Sequence, residues 1–100
     1  MQTFFVEIKC KLGKTYDVAS RLADAEIASE IYSIAGHFDI LAKFHIDDNA
    51  DIGHFVGQQV QTIADIVDTH TIITFKAFCT GLNRQDIVFP LIGISRFAKF

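Results

Sequence analysis

The order of patterned segments along the chain predicts an α+β domain, with four antiparallel strands in one sheet and two helices on one of its faces. Three observations carry this. Residues 3–10 alternate strictly, with Phe4, Val6, Ile8 and Cys10 on one side and Thr3, Phe5, Glu7 and Lys9 on the other, the period-2 signature of a strand with one buried face. Residues 31–46 read as two runs of β-formers around Gly36-His37, a hairpin signal. Ile52, Phe55, Val56, Val60 and Ile63 recur at helical spacing before a β-branched run that begins at Ile66. Two β-α-β units with right-handed crossovers, joined through a hairpin, give strand order 4-1-3-2. That is the ferredoxin-like β-α-β-β-α-β fold, the topology also used by dimeric α+β barrels.

Each element has its own local reason. Gly13 ends the first strand, and residues 14–24 run without proline or glycine, placing Val18, Ala19, Leu22 and Ala23 on one side of a helix. Residues 28–35 and 38–47 are the hairpin strands, with Phe38, Ile40, Ala42, Phe44 and Ile46 forming one apolar face. Only glycine reaches φ > 0 at little cost, so the turn is expected to close at Gly36 and His37 as a two-residue hairpin. Asp47-Asp48-Asn49 supplies capping side chains and negative charge at the start of the second helix. Gly53 and Gly57 lie a turn apart inside that helix, where each costs roughly 1 kcal/mol against alanine. Close approach of a neighbouring backbone would account for them. Residues 66–78 are the last strand.

One hundred residues make a single domain, which buries only about 60 to 65% of its unfolded surface. Half the residues are apolar and ten are Phe, rich for a sheet with helices on one side only. The uncovered face is therefore expected to meet a partner, and the protein to be an oligomer. A net charge of −3 and a pI near 5.7 leave no basic excess to attract phosphates, which argues against direct nucleic-acid binding. The N-terminus enters a strand directly, with no signal-peptide pattern, and no apolar run approaches the roughly 20 residues of a membrane span. A soluble, cytoplasmic protein is expected. Cys10 and Cys79 then fit reduced thiols better than a disulfide. They lie on the order of 30 Å apart in the expected topology, at ~3.3 Å per strand residue.

Gly13-Lys14 before the first helix, the run 32–41 (Tyr-Ser-Ile-Ala-Gly-His-Phe-Asp-Ile-Leu) and the run 68–73 (Asp-Thr-His-Thr-Ile-Ile) carry a resemblance. Over roughly residues 3–78 the chain resembles the effector-binding domain of the Lrp/AsnC family of feast/famine regulators. The Gly-x-aromatic-Asp turn and the Thr-x-Thr strand are short motifs. Their spacing inside the full element order makes the match more specific than either alone. The family's usual N-terminal helix-turn-helix has no counterpart here, so the chain looks like a stand-alone version of the domain, not itself DNA-binding.

The resemblance implies a homodimer formed by packing two sheets face to face, dimers assembled into rings, and small effectors, usually amino acids, held in clefts between dimers. Carried onto this chain, Gly36 and Asp39 match the turn and Thr69 and Thr71 match the strand, with His37 and Phe38 at variable turn positions that shape specificity. A carboxylate pairs with an α-ammonium group, glycine admits a ligand to backbone N–H groups, and threonine hydroxyls donate and accept. Each residue also has a plain structural reading: Gly36 for turn conformation, Asp39 for bonding turn amides, and the threonines as strand formers. No cofactor is implied, and the four His show no metal-ligand spacing.

Two other functions share this topology. One is a small dimeric α+β-barrel enzyme of the monooxygenase-like kind, with His45 and His70 as acid/base groups. Against it stand the absence of Trp, of paired strand carboxylates and of a nucleophile-base spacing. The other is a purely structural assembly unit. The favoured reading is a non-enzymatic effector-binding and oligomerisation module, which could modulate a partner regulator by mixed assembly. Residues 1–79 make that domain. Residues 80–100 form an apolar C-terminal extension without a clean period, interrupted by Pro90, and are expected to act as an arm at a subunit interface.

Overall fold

A computed structural model describes residues 1–76 of the chain. Within them the elements run β1 (Gln2–Cys10), α1 (Thr15–Ala25), β2 (Glu30–Ser33), β3 (Ile40–Ile46), α2 (Ile52–Phe55) and β4 (Ile66–Ile73). The four strands form one sheet in the order β2-β3-β1-β4, every neighbouring pair antiparallel. This is the expected 4-1-3-2 order, and the fold is ferredoxin-like.

β1 is central and sets the two faces. Its register pairs Phe4 with Phe44, Val6 with Ala42 and Ile8 with Ile40 on one side, and Phe4 with Ile73, Val6 with Thr71 and Ile8 with Thr69 on the other. Phe4, Val6, Ile8 and Cys10 are buried together with Val18 and Leu22 of α1 and Val56 and Val60 beyond α2. Both helices therefore cover the same face. The two largest fully buried side chains meet in the core: Phe4 and Phe44 stack with ring centroids 5.3 Å apart. Phe55 meets both edge-on, at 5.9 and 5.6 Å, and such pairs add to the area they bury.

Several local expectations are corrected. The hairpin is wider than a two-residue turn. β2 ends at Ser33, β3 begins at Ile40, and the closing bond runs from the Ile34 N–H to the Asp39 carbonyl at 3.0 Å. Asp39 is also drawn to β1, its N–H donating to the Ile8 carbonyl at 2.9 Å. Gly36, at φ +115°, does take the backbone conformation that an L side chain resists.

The second helix is capped by Asp51, not by Asp47-Asp48-Asn49. The Asp51 carboxylate accepts from the Gly53 N–H at 3.0 Å. Residues 47–50 form the preceding turn, to which the Gln2 amide donates at the carbonyls of Asp47, Asp48 and Ala50. This helix is also not a single α-helix. After one α turn, Val56–Val60 winds as a π turn, closed by Gln61 N–H to Val56 C=O at 2.9 Å. No backbone crowds the glycines: a Cβ on Gly53 would meet only the Asp51 carboxylate at 3.6 Å, and one on Gly57 only the Gln61 side chain at 4.0 Å. Their expected role in close packing is withdrawn.

The last strand keeps its pairing through Ile73, short of the expected 66–78, whose final residues lie outside the described part. The expectations for Cys79 and for residues 80–100 fall there too.

Truncating a ring of the aromatic cluster tests the packing. Phe44→Ala should lower unfolding free energy by about 3–5 kcal/mol, the range for large-to-small changes at fully buried aromatics, read from the shift of the urea midpoint at unchanged slope.

Candidate ligand-binding site

The loop between β2 and β3 is closed by its own backbone and tied to the end of β1 by one side chain. Asp39 Oδ2 accepts from the Cys10 N–H at 2.8 Å. The β1–β3 ladder ends at the Ile8–Ile40 pair, so the next amide on that side, Cys10 N–H, lacks a ladder partner, and the carboxylate supplies one. Asp39 is thus half-buried and committed to the fold. Beside it, Thr15, Tyr16, Ser33 and Ile34 complete a shallow depression of about 280 Å³. Gly36 and His37 are exposed at the loop tip.

Phe38 breaks the alternation read from the sequence. It does not join the core face of β3 but stacks on the His70 ring at 6.1 Å with the planes 18° apart. His70 Nδ1 in turn lies 2.8 Å from Glu7 Oε1. The row Phe38, His70 and Glu7 ties the loop to the sheet face opposite the helices. Neither Glu7 nor this stacking was signalled by any local pattern.

Thr69 and Thr71 lie on the helix side of β4, paired with Ile8 and Val6. Thr69 Oγ1 accepts from Gln61 Nε2 at 2.8 Å. With Gln61, Ile66, Val67 and Asp68 it lines a second depression of about 220 Å³. Asp39 and Thr69 flank Ile8 from its two sides, about two strand spacings or ~10 Å apart. The six expected residues thus fall into two groups, a loop group and a β4 group; of them Asp39 lines one depression and Thr69 the other.

The two histidines of the enzyme reading do not converge. His45 Nδ1 lies 2.9 Å from Thr3 Oγ1, while His70 pairs with Glu7. Thr3 and Glu7 are four residues apart on β1, about 13 Å at ~3.3 Å per residue, although a cleft does open beside His45. Among the described residues, no group of three or more His, Cys, Asp or Glu is placed to hold a metal ion. No described helix is long and apolar enough to cross a membrane.

Glu30 gathers two partners on the uncovered face. Lys43 Nζ lies 3.7 Å from Glu30, and the Tyr32 hydroxyl donates to Glu30. That bond first, then Lys43, holds the Glu30 carboxyl below the usual carboxylate value, and it raises the Tyr32 phenol.

The fold defines the class, a ferredoxin-like α+β domain with helices on one side of its sheet. Comparison gives the family. The model described as the Lrp/AsnC ligand binding domain matches residues 3–82, and the chain belongs to that family. The HTH-type transcriptional regulator FL11 of Pyrococcus furiosus is 32% identical over 72 residues, covering 72% of this chain and 47% of that protein. The chain thus spans about half the length of the curated relatives it matches. Among solved structures, Escherichia coli AsnC aligns with a TM-score of 0.63 at 27% identity, over 78% of this chain and 53% of its own. A protein from Thermus thermophilus, TTHA0845, shares the fold with a TM-score of 0.72 at 24% identity, over 80% of this chain and all of its own.

Substitution tests the Asp39–Cys10 contact. Asp39→Ala strands the Cys10 amide and should cost about 1–3 kcal/mol. Asp39→Asn keeps an acceptor oxygen and should recover most of that loss in the same urea titration.

Burial raises the Cys10 thiol above its ordinary value, and the Asp39 carboxylate adds to the effect. The folded state then holds this proton more tightly than the unfolded chain. The resulting stability is fully present below the unfolded value of 9.0 and is lost as pH rises through the folded one. The stability difference between the native sequence and Cys10→Ala should accordingly shrink above that pH. In a Cys79→Ser background, alkylation of Cys10 at neutral pH should be at least about tenfold slower in buffer than in urea.

Proposed function

We propose that this chain is an effector-binding and self-assembling module that takes a small amino-acid-like molecule in a cleft completed by a second copy, without chemistry of its own. The observation that carries the reading is the division of the candidate residues. The loop depression at Asp39, about 280 Å³, and the β4 depression at Thr69, about 220 Å³, each fall below the ~300–1,000 Å³ typical of small-molecule sites. Juxtaposing the loop of one copy with β4 of another would bring the volume into range. The loop offers an exposed glycine with φ +115°, where a ligand carboxylate can approach backbone N–H groups. Asp39 keeps one oxygen beyond its bond to Cys10 for an α-ammonium group.

The uncovered sheet face supports self-assembly. Phe5, Leu41, Tyr32 and Ile72 stand on it by register, an apolar row of the kind a partner surface covers. Six Lys and Arg against eleven Asp and Glu in residues 1–76 support a regulatory role exerted without direct DNA contact, through assembly with itself or with a partner regulator.

A thermal-shift screen of the full chain against the twenty amino acids tests the ligand. A binder at 100 times its Kd should add about 2.7 kcal/mol. Gly36→Val, strained at φ +115°, and Asp39→Asn should each diminish that gain. No stabilisation by any amino acid would remove the ligand reading, and a monomeric mass by light scattering at micromolar concentration would remove the assembly reading.

A further inference from the structure

A cleft of about 570 Å³ opens at the end of the sheet where β1 begins and β4 ends, walled by Thr3, Phe5, Lys43, His45, Ile73 and Phe75. Large apolar side chains stand uncovered around it: Phe75 is 99% exposed, Met1 78% and Ile73 54%. Such a concentration marks a surface that something covers. Its polar groups already have partners. Lys43 meets Glu30, His45 meets Thr3, and the Thr74 hydroxyl donates to the Thr3 carbonyl at 2.8 Å. The cleft is therefore a seat for apolar groups and not an ion site.

The chain leaves the described structure at the lip of this cleft, since Thr74, Phe75 and Lys76 line it and residues 77–100 follow directly. That segment holds four of the ten Phe, at 78, 89, 97 and 100. Its charge is opposite to that of the domain, with three Lys and Arg against one Asp, where residues 1–76 have six against eleven. The matching carboxylates are near the cleft. Asp47 and Asp51 lie in or beside the turn that Gln2 holds, immediately before the cleft-lining Ile52, and Asp48 between them pairs with the Met1 ammonium at 2.9 Å.

We propose that residues 77–100 fold back onto their own domain and seat apolar side chains in this cleft, with Arg84, Arg96 and Lys99 set against the acidic turn. Tethering at the lip gives the segment a millimolar-scale local concentration without a second copy. Seated there, it covers one end of the sheet and leaves the row Tyr32, Leu41, Glu7 and His70 to another chain. This inference is independent of any ligand at the Asp39 loop.

The chain has no Trp, so Phe97→Trp in the full-length protein places a single fluorescent reporter in the segment, and Phe89→Trp places a second. At least one reporter should give blue-shifted emission and acrylamide quenching several-fold slower than in urea, unchanged on dilution to nanomolar concentration. Phe75→Asp, at a fully exposed position, and Phe5→Asp, outside the helix-covered core, should each redden that reporter and speed its quenching while the far-ultraviolet circular dichroism is retained. The proposal is overturned if both reporters are as exposed in buffer as in urea. Emission that reddens on dilution would assign the seat to a second copy instead. Shielding that neither cleft substitution changes would also overturn it.

Discussion

Everything in this domain depends on β1 being hydrogen-bonded on both sides. As the central strand it fixes the register of β3 and β4 at once, and its alternation decides which side chains face the helices and which do not. A slip of one residue would send Phe4, Val6 and Ile8 to the uncovered face and Phe5, Glu7 and Lys9 into the core. Burial of unpaired Glu7 and Lys9 charge alone makes that register inaccessible. The stack of Phe4 on Phe44, closed by Phe55, then locks the correct face down.

The same strand explains how the candidate site is organised. The Asp39 loop attaches to one side of Ile8 and Thr69 to the other, so the sheet holds the two groups of candidate residues at a fixed spacing. The uncovered face between them carries Glu7 and His70, with Phe38 laid over the histidine ring. Loop, sheet face and outer strand are thus parts of one hydrogen-bonded unit.

Legibility in the sequence tracked the range of the interactions involved. β1 and β3 announced themselves because half-buried strands impose period 2 on their own residues, and the element order then left few topologies. The tight hairpin expected from Gly36-His37 was overridden by Asp39, whose carboxylate answers an amide 29 positions away. No local rule contains that bond. Phe38 was assigned to the core by alternation, yet loop geometry turns it onto His70. The apolar spacing of Ile52, Phe55, Val56 and Val60 revealed a buried helical face but not its winding. A π turn keeps Val56 and Val60 inward as well as an α turn would, so the pattern fits both. The positions matched at the site were legible only as a resemblance, and the separation of Asp39 from Thr69 into different depressions required coordinates.

The anchoring of the β2–β3 loop also has a thermodynamic consequence. Its two ends are bonded to each other, its last residue and its one carboxylate are bonded to β1, and its glycine already holds a positive φ. A molecule settling on this loop meets a surface whose shape is set before contact, so little backbone entropy remains to be lost on binding. Discrimination among ligands would then arise from fit to a rigid template, with association governed by encounter rather than by loop closure.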